Sequence, residues 1–240
     1  VYMGAGYYDY DSPYDAQIEG LQNFKGDVVH PQFWPKDFDY SGEKVVIIGS
    51  GATAVTIVPV LAEKASHVTM LQRTPTWYAS APSKDRIANI LRTILPEKWA
   101  YKITRWKNVK MQDLTFRTAR DNPQKVIDKL EKPMKQELGD KYVKEDYTPP
   151  YGPWEQRLCL VPDGDMFKAI AAGRADLKTG HIDTVTETGI KLKSGETIDA
   201  DVIVTATGLK LAVAGKVAFE VDGKPVHWPD HYYYKGCMFS

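Results

Sequence analysis

Lys44-Val45-Val46-Ile47-Ile48-Gly49-Ser50-Gly51-Ala52-Thr53-Ala54 contains a strand-like run, a glycine-rich turn and the start of a helical pattern. The run before Gly49 is apolar and β-branched, which is typical of a strand buried on both faces of a parallel sheet. Apolar residues at helical spacing continue to Lys64, interrupted only by Pro59. A second apolar run follows at 67–71. This order predicts a βαβ unit of the Rossmann type.

The glycine-rich turn has the form G-x-G-x-x-A, and each small residue has a physical task. Gly49 allows a sharp turn off the strand, Gly51 allows the backbone to approach a pyrophosphate, and Ala54 lets the helix lie against the sheet. The first helical residues present free N–H groups to the phosphates. The sequence therefore predicts a dinucleotide site with these cofactor-binding residues: Gly49, Ser50, Gly51, Ala52 and Thr53, the Ser and Thr as hydroxyl donors.

The end of the second strand predicts which dinucleotide binds. An NAD site places Asp or Glu there, whereas this chain has Gln72-Arg73-Thr74. Arg73 would pair with a 2′-phosphate, and a charge-assisted hydrogen bond contributes roughly 1.5–3 kcal/mol. We therefore expect Arg73 and Thr74 to bind NADPH. The alternative is a solvated surface arginine that contacts no ligand.

The remaining pattern predicts an α/β fold: a Rossmann-like, three-layer NADP-binding domain with a parallel sheet and a β-meander, interrupted by a helical insertion. Helical spacing is evident at 87–95, 99–114 and 126–130. Strand patterns return at 175–178, 182–185 and 201–208, with hairpins at 189–198 and 219–226. We expect five segments: a connector (1–40), the first half of the NADP-binding domain (41–81), the insertion (82–150), the second half (151–210) and a final segment (211–240).

Composition excludes several classes. The 240 residues include 31 basic and 31 acidic ones, so no global field recruits nucleic acid. No apolar run is long enough to span a bilayer, and the basic helical stretch around Arg105 favours a solvated face. Cys159 and Cys237 lack metal or redox spacing, and the histidines share no ligand spacing, so we expect no metal site and a cytoplasmic setting.

Two further motifs accompany the glycine turn. Residues 24–35 read F-x-G-x-x-x-H-x-x-x-W-P, and the run from Asp201 ends in Ala206-Thr207-Gly208. In this order, the three motifs resemble those of class B flavoprotein monooxygenases of the Baeyer–Villiger type, and the likeness extends over essentially the whole chain. Those enzymes use FAD, NADPH and O2 to convert ketones to esters or lactones, and to oxidise sulfides, through a flavin C4a-peroxide.

The resemblance implies that the chain is a fragment, in which residues 1–40 are an interdomain linker and FAD-domain remnant and residues 211–240 return toward the FAD domain. It carries only the NADPH glycine motif, so we expect the FAD motif upstream of Val1 and most of the FAD site and substrate pocket outside this chain. It also implies that His30 and Trp34 lie on the interdomain linker and position cofactor, and that Thr207 and Gly208 lie at the nucleotide. A structural His30 and a purely packing Trp34 are the alternatives.

Arg157, in Trp154-Glu155-Gln156-Arg157, is the catalytic residue that the resemblance implies. A guanidinium stays charged at any working pH and donates several directed hydrogen bonds, so it can stabilise an oxygen-derived anion. The family often has Lys where this chain has Gln156, which puts a phosphate contact there in doubt. An Arg157 paired with Glu155 or Asp163 is the structural alternative.

Two other functions remain open from sequence. An N- or S-oxygenating flavin monooxygenase shares the double-dinucleotide plan but usually has a different linker motif. A non-catalytic NADP-binding module is also compatible, because the chain carries no FAD motif.

Overall fold

The computed structural model describes residues 4–227, 230–234 and 238–239. The chain forms two compact units. The larger is Ile18–Thr207. The smaller combines the described residues up to Gln17 with those from Gly208 onward.

The strands are β1 (Asp27–Val29), β2 (Lys44–Ile48), β3 (His67–Gln72), β4 (Trp77–Ala81), β5 (Leu158–Pro162), β6 (Ala175–Thr179), β7 (Ile182–Thr186), β8 (Gly189–Leu192), β9 (Thr197–Asp199), β10 (Val202–Thr205), β11 (Glu220–Val221), β12 (Lys224–Pro225), β13 (Tyr233–Tyr234) and β14 (Met238–Phe239). The α-helices are α1 (Ala52–Leu61), α2 (Arg86–Ile94), α3 (Glu97–Asp121), α4 (Pro123–Leu138), α5 (Lys144–Tyr147) and α6 (Asp165–Ala171).

The centre of the larger unit is a parallel sheet in the order β1-β10-β2-β3-β6. Alternate residues of β2 face opposite sides of this sheet, as the pleat of a strand requires. Val45 and Ile47 pack against α1, α4 and α6, whereas Val46 and Ile48 pack against the antiparallel meander β7-β8-β9. The three layers are thus helices, sheet and meander, which confirms the predicted fold class.

The sequence patterns located the glycine turn between β2 and α1 and both predicted hairpins. Four features differ from the expectations. No strand was predicted in residues 1–40, but β1 lies in this segment and forms the edge of the sheet beside β10. Helices α3 and α4 run further than the periodic segments. The parallel pair β4-β5 and the helix α6 were not anticipated.

Side-chain caps mark the starts of two helices in the helical insertion. Asp85 accepts a hydrogen bond from Ala88 N at the start of α2 (3.0 Å), and Asn122 accepts from Lys125 N at the start of α4 (3.3 Å). Asn122 also ends α3, and Pro123 follows at the first position of α4, where its missing N–H costs nothing. Among the described residues, no helix combines the length and apolarity that crossing a membrane requires.

The smaller unit is held by a buried carboxylate. Asp9 is almost fully buried and pairs with Lys216 (2.6 Å) and Lys210 (3.5 Å). The hydrogen bond from Lys216 holds the pKa of Asp9 well below its usual range. The β11-β12 hairpin turns at Asp222-Gly223, both with positive φ, which matches the predicted Asp-Gly turn.

Candidate active site

Gly49 is required by backbone geometry where β2 ends. Its φ is +135°, and its N–H donates to Leu71 O at 2.8 Å. A Cβ at this position would lie 2.3 Å from Ala206 O on the neighbouring segment. The close approach of the chain after β10 therefore demands glycine here, in addition to the turn that the sequence predicted.

Gly51 faces open space, in contrast to Gly49. Among the described residues, a Cβ at Gly51 would meet no protein atom within 4 Å, and no side chain caps the N-terminus of α1. Ala52 and Thr53 are exposed at this terminus, whereas Ala54 is buried against the sheet. The uncapped N–H groups and the space beside Gly51 fit an incoming phosphate group.

Ser50 lies buried in the turn and already has partners. Its Oγ is 3.2 Å from Thr76 Oγ1 and accepts a hydrogen bond from Arg157 Nη2 at 3.1 Å. The sequence predicted a hydroxyl donor to phosphate at this position. The structure gives Ser50 a different contact, with the candidate catalytic side chain, and a phosphate contact stays a prediction.

Arg157 is held by two hydroxyl groups. In addition to the Ser50 contact, its Nε donates to Thr76 Oγ1 at 2.9 Å. The parallel register of β4 and β5, which pairs Trp77 with Leu158, places Thr76 beside Arg157. Of the five N–H groups of a guanidinium, these two bonds leave three for another partner.

The alternative in which Arg157 is paired with a carboxylate is not observed within the described residues. Glu155 accepts from Gly152 N (2.8 Å) and lies 4.0 Å from Arg120. Asp163 accepts from Ser83 N at 3.0 Å. Arg157 itself is exposed and forms no ion pair in this part of the chain, so its charge faces solvent uncompensated by a carboxylate.

Thr76 and Cys159 complete the support beneath the turn, and sequence reasoning missed both. Thr76 is fully buried, and the Cys159 thiol donates to Ser50 O at 3.6 Å. Burial raises the pKa of the Cys159 thiol, and the nearby charge of Arg157 offsets part of that rise. Only the β4-β5 register brings these residues together, and that pairing leaves no local signal in the sequence.

Arg73 projects from the carboxyl end of β3. It is exposed and has no hydrogen-bond or ion-pair partner within the described residues, and Thr74 is partly buried beside it. The preceding residue, Gln72, is fully buried and donates to Asp146 O (2.7 Å) and Thr179 Oγ1 (2.9 Å). The backbone before Arg73 is therefore anchored, while its guanidinium is available to a ligand.

His30 and Trp34 follow β1 and have different environments. His30 Nδ1 accepts from Gln32 N at 3.3 Å, and its Nε2 is buried without a partner among the described residues. Trp34 packs edge-on against Phe38 (5.9 Å between ring centroids) and Tyr40 (6.0 Å). Trp34 therefore has a packing role here, whereas His30 retains an unused polar atom.

The remaining predicted residues are Thr207, Gly208 and Gln156, of which Gln156 directly precedes Arg157 in the chain. Thr207 lies just beyond β10, and its Oγ1 is buried without a partner in the described part of the chain. Gly208 has φ +120° and belongs to the smaller unit. Gln156 is exposed. The free Nε2 of His30 and Oγ1 of Thr207, both beyond the carboxyl ends of sheet strands, fit a site that takes up a polar ligand.

A Rossmann sheet with an uncapped glycine turn is typical of proteins that bind a dinucleotide cofactor, and here an arginine is hydrogen-bonded to that turn. The family model for flavin-binding monooxygenase-like proteins matches residues 1–215, and the chain belongs to that family. The FAD-containing monooxygenase EthA of Mycobacterium tuberculosis is 44% identical over 242 residues, covering 100% of this chain and 50% of EthA.

Two solved structures share the fold. One is OTEMO in complex with FAD and NADP (TM-score 0.64, 22% identity, 89% of this chain and 47% of that one). The other is cyclohexanone monooxygenase with bound ε-caprolactone (TM-score 0.63, 18% identity, 88% and 48%). The chain spans about half the length of the curated relatives it matches. The resemblance that the three sequence motifs indicated is thereby confirmed.

Proposed function

We propose that the chain is the NADPH-binding part of an FAD-dependent Baeyer–Villiger monooxygenase that converts ketones to esters or lactones and oxidises sulfides. The observation that carries the proposal is the pair of hydrogen bonds from Arg157 to Ser50 and Thr76. They attach the candidate catalytic side chain to the glycine turn itself. The linker motif around His30 and Trp34 supports this type of oxygenation over the N- or S-oxygenating alternative.

Backbone N–H groups and one charged side chain would hold NADPH. The free N–H groups at the start of α1, beside Gly51, Ala52 and Thr53, would bind the diphosphate through directed hydrogen bonds and the helix dipole. Arg73 would bind the 2′-phosphate, because its guanidinium is exposed on an anchored backbone and no carboxylate stands in its place. Thr74, His30 and Thr207 each lie just beyond the carboxyl end of a strand of the parallel sheet and would supply further polar contacts.

FAD, which we propose is held mostly by residues outside this chain, would supply the activation of O2, and NADPH would supply the electrons. The part that this chain contributes is Arg157. Its positive charge has no carboxylate counter-ion among the described residues, and three N–H groups are free, so it can stabilise negative charge that develops on the substrate oxygen. The two hydroxyl acceptors fix the guanidinium before the substrate arrives, which lowers the reorganisation that the reaction requires.

The proposed reactants are O2 and a small ketone or sulfide, and the proposed setting is the cytoplasm. The balanced overall charge gives no support to a nucleic-acid partner. The relative with ε-caprolactone bound supports a ketone-to-lactone reaction, since that lactone is the oxygen-insertion product of cyclohexanone.

The proposal is tested with the full-length protein loaded with FAD and supplied with NADPH and isotopically labelled O2. Parallel incubations contain a cyclic ketone, a sulfide or a tertiary amine, and products are identified by mass spectrometry. We expect a lactone carrying one labelled oxygen atom, and a sulfoxide. An amine N-oxide or a sulfoxide without any lactone would favour the N- or S-oxygenating alternative, and nucleotide binding without any oxygenated product would favour a non-catalytic module.

A further inference from the structure

The helices α2 and α3 expose an apolar surface that the proposed reaction does not use. On α2, Ile87, Ile90 and Ile94 follow i, i+3, i+7 spacing and therefore lie on one side of the helix. This side is 54–67% exposed, while Ala88 supplies the buried contact. A helix normally turns its apolar stripe toward the core, whereas α2 turns its apolar side away from the core.

Helix α3 also exposes apolar residues, but around its circumference: Tyr101, Val109, Met111, Leu114 and Phe116 are 47–63% exposed in addition to a row that continues the α2 set. Trp99, Ile103 and Trp106 follow i, i+4, i+7 spacing and are 40–65% exposed, whereas Ala100 is buried. The two helices pack against each other, and Lys107 Nζ contacts Asp85 Oδ2 at 2.6 Å between them. We call the exposed set the Ile–Trp face: Ile87, Ile90, Ile94, Trp99, Ile103 and Trp106.

The segment that carries this face is strongly basic although the chain as a whole is neutral. Residues 84–121 contain ten Lys or Arg and four Asp or Glu. Two of those four carboxylates are paired within the helices, Asp85 with Lys107 and Asp113 with Arg117 (3.1 Å). The remaining cations alternate with the apolar residues along α3, and Lys102 Nζ lies 5.6 Å from the Trp99 ring centroid. The neutral total therefore conceals a local positive surface.

We propose that the Ile–Trp face binds the surface of a membrane that contains anionic phospholipids. A helix with an apolar side and Lys and Arg around it, as α2 has, lies in the headgroup layer, with the apolar side chains at the acyl boundary and the cations on lipid phosphates. Trp is enriched at this depth of a bilayer. A protein partner fits less well, because lysine is depleted in the cores of protein interfaces, where its charge would lose water without a matching phosphate.

The test uses the full-length protein and sedimentation with vesicles of phosphatidylcholine alone or mixed equally with phosphatidylglycerol. We expect the protein to sediment with the mixed vesicles at least tenfold more than with phosphatidylcholine alone, and to be released in part by high salt. The triple variant Ile87→Ser, Ile90→Ser, Ile94→Ser should lose most of this binding. Trp99 and Trp106 should shift their fluorescence to shorter wavelength only with the mixed vesicles.

A matched triple variant controls for the loss of exposed apolar residues in general. Val60→Ser, Val143→Ser and Leu160→Ser change three exposed aliphatic residues outside the face, and vesicle binding should be unchanged. Circular dichroism establishes that both triple variants are folded.

Three results would overturn the proposal. The first is equal sedimentation of the wild type and the α2 triple variant with mixed vesicles. The second is a dimer in sedimentation velocity that only the α2 variant abolishes, without vesicle binding, which would assign the face to a second copy. The third is protection of an Ile90→Cys thiol from a water-soluble reagent without vesicles, which would show that the rest of the polypeptide covers the face.

Discussion

Two groups of residues near the carboxyl ends of the sheet strands differ in whether they already have partners: one group is fixed and the other is open. The fixed part consists of Gly49, Ser50, Thr76, Arg157 and Cys159, which are joined by close backbone approach or by hydrogen bonds. The open part consists of Gly51, where an added Cβ would meet no described atom, and Arg73, whose side chain has no partner among the described residues. The fixed part has its geometry before any ligand arrives, whereas the open part acquires its contacts only from a ligand.

This difference separates two tasks along one sheet edge. Preorganised donors favour stabilisation of a transition state, because no reorganisation is needed during the reaction. An exposed and unpartnered arginine favours recognition of a ligand phosphate, because no existing contact must be broken. Substitutions in the fixed part should therefore change turnover or stability, and those in the open part should change nucleotide affinity.

The largest effect is expected for Arg157→Ala in the full-length protein. Loss of the guanidinium should reduce lactone formation by about 10²–10³-fold. NADPH oxidation should continue, because Arg73 and the α1 terminus remain. Product yield and NADPH consumption are measured side by side, with Arg157→Lys as the variant that keeps the charge but loses the two-hydroxyl geometry. A mutant with normal product yield would remove Arg157 from the reaction.

Gly49→Ala should be the most destabilising change in the turn. The new Cβ would lie 2.3 Å from Ala206 O on a backbone at φ +135°, and such strain costs more than about 2 kcal/mol of unfolding free energy. Urea denaturation measures the loss. Gly51→Ala is the matched control, because its Cβ meets no protein atom; it should cost less than about 1 kcal/mol yet weaken NADPH binding. Equal destabilisation by both substitutions would contradict the division into fixed and open parts.

Arg73→Ala should change coenzyme preference by about 10- to 100-fold, which corresponds to the roughly 1.5–3 kcal/mol of one charge-assisted contact. The KM for NADPH should rise and that for NADH should not, because only NADPH carries the 2′-phosphate. Thermal stability should stay at the wild-type value, since Arg73 has no partner to lose within the described residues. Equal increases in both KM values would rule out the phosphate assignment.

Thr76→Val should have the smallest effect, about fivefold on product formation. The change removes the acceptor of Arg157 Nε but leaves the Ser50 contact, so the guanidinium is held by one neutral hydroxyl instead of two. The fraction of NADPH that yields product is the measurement, because loosened positioning should lower it while NADPH affinity is kept. Thr56→Val is the control, since Thr56 Oγ1 bonds only to its own helix, at Ala52 O (2.8 Å); a similar loss there would point to a general effect.

Much of the fold could be predicted because its signals are local. The continuous apolar run of β2, the glycine turn and the two hairpins depend on neighbouring residues in the chain. Strand β1 and the β4-β5 pair could not be predicted, since their pairing depends on partners more than 80 residues away, as with Thr76 and Arg157 (81 apart). The same applies to the site: Gly49 and Arg73 follow from position, whereas the role of Ser50 as a support for Arg157 follows only from the folded structure.

The pairing of β1 with β10 has a practical consequence for expressing parts of this protein. The glycine motif suggests a natural start near residue 41, but a truncated product that begins there would lack β1. Strand β10 (Val202–Thr205) would then be an apolar edge strand with unpaired backbone groups. Exposed edge strands of this kind pair with strands of other molecules and cause aggregation. Any shortened version intended for solution work should therefore retain Asp27–Val29.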